Sequence, residues 1–399
     1  MGGLRKIRAG WLIDGRGGPV QNRVELLIHN GTIVSIKYWP GSKSGPGEPD
    51  LSQRTILPGL VDSHLHLSFP ARVEIGRHAS DPEAGFDDLL PTMSANAARL
   101  LRCGILAVRD GGDQGGFSLR FREERSQDLP LVRSPGRGWR ARGRYGRLIG
   151  RPPEGGLGEA IRNRLTRADS PTLNHVKLIN SGLNSLTRFG RPTEPQFDPG
   201  ELAAGAAVAH GAGLPVMVHA NGPLAVGSAL TAGCDSVEHG FFMGRANLEL
   251  MARQGTVWVP TAGTMAAYLD LLNPASPEAG VARRNLDHQL SQLSLARELG
   301  VRVACGTDAG SPGVIHGPSL AREMALLIRA GYSLSEAVAA ASSVGARLLK
   351  VEDRVGLLAE GRPATFLAFD SSPRNLAQEP EKLLARPEAV FVKGQRLRS

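Results

Sequence analysis

Residues 60–66 read Leu60-Val61-Asp62-Ser63-His64-Leu65-His66, a short apolar run that gives way to two histidines separated by a single residue. Side chains alternate along an extended chain, so His64 and His66 fall on the same side of it, at the end of a strand. Working outward, apolar runs of strand length recur at Ile105 to Arg109, Leu131 to Arg133, Val176 to Ile179, Val216 to Val218, Ser236-Val237, Val257 to Val259 and Val301 to Ala304. Helical stretches lie between them, such as Leu89 to Cys103, Pro199 to Ala212, Leu286 to Leu299 and Ser319 to Ala330. Several of these run into a glycine, the residue that most readily closes a helix. With Leu60-Val61 this makes eight strand-then-helix units, the pattern of an α/β protein built as a parallel (β/α)8 TIM barrel. A doubly wound open sheet shares the alternation, but no GxGxxG follows the first strand.

The two ends have a different texture. Gly10 to Asp14, Val24 to His29 and Thr32 to Lys37 are short apolar runs, and Asn30-Gly31 between the last two is a strong hairpin signal. Thr365 to Phe369 and Ala389 to Val392 repeat the pattern at the C-terminus. Neither end has enough strands for a sheet of its own. The expectation is one small β-sandwich domain built from residues 1–57 and 358–399, flanking a barrel over 58–357. The stretch from Trp39 to Asp50, rich in Gly, Pro and Ser, reads as a loop.

Composition fits this frame. The chain has 399 residues, 41% hydrophobic and 21% charged, enough for a barrel of roughly 250 residues and one small domain. The formal charge of +9 invites a nucleic-acid partner. Its distribution argues against one, because arginine is scattered and no basic run is interleaved with stacking aromatics, which are 5% of residues. Cys103, Cys234 and Cys305 are far apart with no CxxC spacing, so neither a disulfide framework nor a thiolate metal site is indicated. No signal-peptide h-region and no run of about 18 apolar residues is present, which reads as a soluble, cytoplasmic protein with no membrane partner.

The chemistry-bearing residues fall at strand ends. His64 and His66 end the first strand, Lys177 lies in the fourth, His219 ends the fifth, His239 the sixth, and Asp308 follows the eighth in Gly306-Thr307-Asp308. In a barrel these positions converge on one mouth. Lys177 is the only lysine between Lys43 and Lys350, and it sits among Val176, Leu178 and Ile179. A buried ammonium has a lowered pKa, and the neutral amine it becomes is nucleophilic. Such an amine can take up carbon dioxide as a carbamate, form a Schiff base, or stay unmodified beside an acid.

Val61-Asp62-Ser63-His64-Leu65-His66, Val176-Lys177-Leu178, Val218-His219-Ala220, Val237-Glu238-His239-Gly240 and Gly306-Thr307-Asp308 together resemble the amidohydrolase superfamily over essentially the whole chain. The resemblance is closest to its imidazolonepropionase-like and prolidase-like (Xaa-Pro dipeptidase-like) branch, where Ile105 to Asp110 and Cys234 to Gly240 look like family segments. It implies that Lys177 is carboxylated by CO2 and bridges two divalent metal ions. His64, His66 and Asp308 would hold the more buried metal, and His219 and His239 the other. Imidazole and carboxylate ligands suit zinc. Two such metals can share a water, lower its pKa towards about 7 and present it to a carbonyl, while Asp308 moves the proton as general acid and base.

The implied function is hydrolysis of an amide bond in a dipeptide or N-acyl amino acid, as in a prolidase. Lactone or phosphoester hydrolysis at the same site is the alternative, since an attacking hydroxide serves both kinds of centre. A non-catalytic assembly scaffold is the reading of another class, and an assembly of identical chains is compatible with either. Substrate positions depart from the family pattern. Relatives often carry His-Ala-His-Gly after strand five and Gly-Gly-His-Gly after strand three, where this chain has His219-Ala220-Asn221-Gly222 and Gly143-Arg144-Tyr145-Gly146. Thr365 stands where Asp is usual. Arg137, Arg140, Arg142, Arg144 and Arg147 crowd this third loop around Trp139 and Tyr145, so a substrate with a free carboxylate is expected, met by Arg144 first and Tyr145 second. Asn221 and His316 complete the candidate substrate residues, and for His316, in the loop after strand eight, bracing of that loop is the equal alternative. His29, His78, His210 and His288 receive no role.

Overall fold

The computed structural model describes residues 3–41, 49–70, 84–125, 130–167, 172–191 and 193–397. His78 and most of the Trp39–Asp50 stretch lie outside the described residues.

Both chain ends meet, as one mixed sheet of seven strands and not the expected two-sheet sandwich, in the order Gln395–Arg396, Ala389–Val392, Phe366–Phe369, Asp50–Pro58, Arg5–Leu12, Gln21–His29 and Thr32–Tyr38. Only the pairing of Arg5–Leu12 with Asp50–Pro58 is parallel. The Asn30-Gly31 hairpin turn has positive φ at both residues, 49° and 78°, as a two-residue turn matched to the twist of its strands requires. Alternation places Val24, Leu26 and Ile28 inside. They join Ile7, Leu12, Ile33, Ile56, Phe366 and Phe391 in an apolar cluster separate from the main core.

The rest of the chain is parallel β/α structure. Leu60–Leu65, Ile105–Asp110 and Leu131–Arg133 form one parallel sheet; Val176–Ile179, Val216–Ala220, Ser236–His239 and Val257–Val259 form another. Within each sheet successive strands are neighbours, without the reversal of order that a doubly wound sheet requires. Two features differ from the sequence reading. The third loop contains two short strands, Gly138–Trp139 and Gly150–Arg151, and Trp139 pairs with Leu178, so the third unit reaches the fourth strand after a break. The expected eighth strand at Val301–Ala304 is a single bridge from Val303 to Trp258. Its continuation instead bonds the first strand, with Ser63 N donating to Cys305 O and His66 N to Ala309 O, both at 2.9 Å. Regular pairing stops there because the segment turns sharply, with Asp308 at φ 57°.

Helix starts follow the capping rules. Asp198 accepts from Glu201 N ahead of Pro199–Gly211, Ser276 accepts from Ala279 N ahead of Pro277–Glu298, and Ser333 with Glu336 forms a capping box. Each satisfies backbone donors that a helix start leaves orphaned. Among the described residues no helix is long and apolar enough to cross a membrane.

Candidate active site

At the C-terminal ends of the parallel strands lies a cavity of about 860 Å³ lined by His64, His66, Lys177, His219, His239 and Asp308, all six metal-ligand candidates. The chain arrives at them from strands one, four, five and six and from the segment after Val303. Ring centroids are 5.6 Å apart for His64 and His66, 5.1 Å for His64 and His239, and 4.4 Å for His219 and His239. Asp308 Oδ1 lies 3.5 Å from His64 Nε2 and 3.4 Å from His66 Nε2. Ligand atoms of these three residues lie within 4.8 Å of one another, a group able to hold a metal ion.

Each imidazole has one nitrogen engaged by the protein. His64 Nδ1 lies 2.8 Å from Glu238 Oε2, His66 Nδ1 2.8 Å from Gly112 O, His219 Nε2 3.1 Å from Gly182 O and His239 Nδ1 2.7 Å from Thr261 Oγ1. Carboxylate and carbonyl oxygens only accept, so in the first three rings the engaged nitrogen carries the proton and the other carries the lone pair. That is the donor set a cation in the cavity needs. Burial holds His64, His219 and His239 in the neutral form, His239 with its pKa pushed down to about 3. Burial alone would raise Asp308, yet the hydrogen bond with His66 and the surrounding imidazoles hold its carboxyl well below the usual range.

Lys177 is 1% exposed, and burial pushes its ammonium down to about 8. No described acid lies within ion-pair distance of it, which removes support from the unmodified, acid-paired reading. Space around the ligands is also shaped. A Cβ on Gly111 would stand 2.6 Å from His66 Cε1, so glycine there keeps the His66 ring clear.

Local backbone strain concentrates at the mouth. His239, Thr261 and Asp308 adopt φ of 67°, 45° and 57°, a conformation costing on the order of 1–3 kcal/mol at a non-glycine residue and kept only where surroundings enforce it. They do so here. Trp258 Nε1 and Gln289 Nε2 both donate to His239 O, at 2.9 and 2.6 Å, and Asp308 N donates to His64 O at 2.7 Å.

Sequence reasoning missed the groups behind the ligands. Asp62, fully buried, accepts from His64 N and from both Thr307 N and Thr307 Oγ1, pinning the turn that carries Asp308 to the first strand. Its signal was present, because Asp62, His64 and His66 share one face under period-two alternation. Arg109 and Glu238 form a buried ion pair under His64.

The candidate substrate residues divide. Arg144, Tyr145 and Asn221 line the cavity, and the Tyr145 ring centroid is 5.2 Å from that of His219. Arg144 Nη2 donates to Glu194 O, so that guanidinium ties two loops together. Arg147 also lines the cavity and has no partner among the described residues. Asn221 is spent on bracing: it donates to Gly182 O and accepts from Phe241 N. Of the two roles open to His316, bracing is the one its contacts favour. It is fully buried, outside the cavity lining, and its Nε2 lies 3.0 Å from His66 O, at the end of the first strand.

Residues 161–397 match the model of the Amidohydrolase family. The chain belongs to the amidohydrolase family. It is accordingly a hydrolase of carbon–nitrogen bonds. Among its relatives are the ochratoxinase of Aspergillus niger, 26% identical over 96% of this chain and 84% of that protein, and the imidazolonepropionase of Micrococcus luteus, 28% identical over 95% of each. A crystal structure of an Xaa-Pro dipeptidase with methionine in its active site superposes with a TM-score of 0.81 at 24% identity, covering 100% of both chains. The fold is therefore that of the amidohydrolases, a TIM-barrel family.

Proposed function

We propose that the protein is a metal-dependent amidohydrolase that cleaves the amide bond of a dipeptide or N-acyl amino acid carrying a free carboxylate. The observation that carries this reading is the convergence of His64, His66, Lys177, His219, His239 and Asp308 on one cavity, with each imidazole fixed through one nitrogen. In this reading residues 58–357 form the catalytic (β/α)8 barrel, and residues 1–57 with 358–399 form the flanking β domain.

The donor set suits divalent cations, zinc by ligand type: His64, His66 and Asp308 would hold one, His219 and His239 a second, and Lys177, if carboxylated, would add an anionic oxygen ligand. When bound, the pair supplies an acidified water and polarises the scissile carbonyl. Lys177 is prepared for modification because its neutral amine can add to the carbon of CO2 and release a proton, leaving a carbamate anion. Asp308, kept ionised by its neighbours, accepts the proton as water attacks and returns it to the leaving amine.

Recognition of the carboxylate falls to Arg147, which lines the cavity and whose guanidinium has no partner among the described residues, with Arg144 as the second cation. Leu148, Leu186, Phe241 and Met265 line the same cavity and suit an apolar substituent. The test compares catalytic efficiencies for an acid and its amide. Wild type should favour the acid by about 1.5–3 kcal/mol, the worth of a charged hydrogen bond. Arg147→Met should remove most of that preference with metal content unchanged, and Arg144→Met a smaller part. An unchanged ratio in both variants would place carboxylate recognition elsewhere. Lactones and phosphoesters in the same panel separate amide hydrolysis from its alternative.

A further inference from the structure

The four imidazoles do not have equivalent partners. His66, His219 and His239 are fixed by a carbonyl, a carbonyl and a hydroxyl, whereas His64 Nδ1 meets the Glu238 carboxylate. Glu238 is itself held. Its Oε1 accepts from Arg109 Nη2 at 2.8 Å and from Ser236 Oγ at 2.5 Å. Arg109 also donates through Nε to Ser63 O at 2.8 Å and through Nη1 to Ser236 Oγ at 2.9 Å. The guanidinium and carboxylate are 3% and 0% exposed. One buried network therefore crosses from strand two to strand six and ends on a ring of strand one.

A buried ion pair is a costly way to hold strands together, since apolar side chains of similar volume do it as well or better. Its placement here does something apolar packing cannot. A carboxylate behind an imidazole fixes the tautomer and makes the opposite nitrogen a stronger donor, typically worth 10–100-fold in metal affinity. We infer that Arg109 and Glu238 are positioning residues that make the His64, His66, Asp308 position the tighter of two cation positions, so that it fills first and empties last. The inference rests on the proposed metal-dependent reading.

The experiment challenges holoprotein with a graded series of zinc chelator and follows cations retained per chain alongside thermal stability. Wild type should release its cations in two steps. Glu238→Gln leaves one acceptor oxygen for the three donors Arg109 Nη2, Ser236 Oγ and His64 Nδ1–H, so the tighter step should weaken about 10–100-fold while the weaker step stays in place. Arg109→Met should destabilise the fold by stranding the carboxylate. The double variant Arg109→Met, Glu238→Gln removes that buried charge and should recover stability without recovering the tighter step. Recovery of both together, or an unshifted tighter step in Glu238→Gln, would show that the pair serves folding alone and overturn the inference. Wild-type protein that retains no cation would instead overturn the proposed metal dependence, and this inference with it.

Discussion

Lys177→Ala is expected to yield folded protein that holds few cations and turns substrate over at least about a thousandfold more slowly, a loss of roughly 4 kcal/mol in transition-state stabilisation. Two unit charges about 4 Å apart interact by about 4 kcal/mol at an effective dielectric constant of 20, so two divalent cations at that spacing repel by on the order of 16 kcal/mol. An anion between them offsets much of this. In the proposed site the carbamate of Lys177 is that anion, and alanine removes the side chain that carries it. The substitution should cost little folding stability, because an amine buried to 1% exposure is itself a burden. Short carboxylates added to the variant should restore part of both metal content and activity by filling the vacated place. Elemental analysis beside a turnover assay reads the result. Wild-type metal content and rate in Lys177→Ala would remove the carbamate from the mechanism.

Asp308→Asn is expected to lower kcat by about 10²–10⁴-fold, the range for loss of a general acid–base group, while KM changes little. Asparagine keeps the shape and one oxygen donor but cannot take the proton. The backbone should accept it, since Asp308 sits at φ 57° and asparagine is among the residues that tolerate the left-handed region. His64 and His66 keep their other partners, Glu238 Oε2 and Gly112 O, so the ligand strand should stay in place. Kinetics with metal analysis on one preparation separates the two ways of failing. Equal losses in kcat and metal content would mean that Asp308 matters as a ligand and not as the proton carrier.

Much of the architecture was legible because it is written in local periodicity. Strand-length apolar runs, the Asn30-Gly31 turn and the helix-closing glycines each act over a few residues. Strand-end positions of His64, His66, His219, His239 and Asp308 likewise follow from counting along the chain, and the cavity brings them together. What failed or stayed open depended on contacts between distant segments. The eighth strand is an isolated bridge because its last residues turn to place Asp308 and hydrogen-bond Asp62 instead of extending a ladder. His316 follows a glycine-rich turn near Asp308 in sequence, yet the chain folds it beneath His66, where it is fully buried. Arg144 and Arg147 are alike in sequence. Only the approach of Glu194 O, 50 residues away, ties down the first. Glu238 reads locally as the residue before a candidate metal ligand, and nothing in the linear pattern says that it reaches His64, 174 residues away.

Cations per chain in fully active protein test the central claim most directly. Elemental analysis of purified enzyme, with specific activity measured on the same sample as cations are removed and restored, should give about two divalent cations per chain at full activity, because the six converging ligands exceed what one tetrahedral zinc requires. Full activity with a single cation per chain, or with none, would contradict the binuclear site.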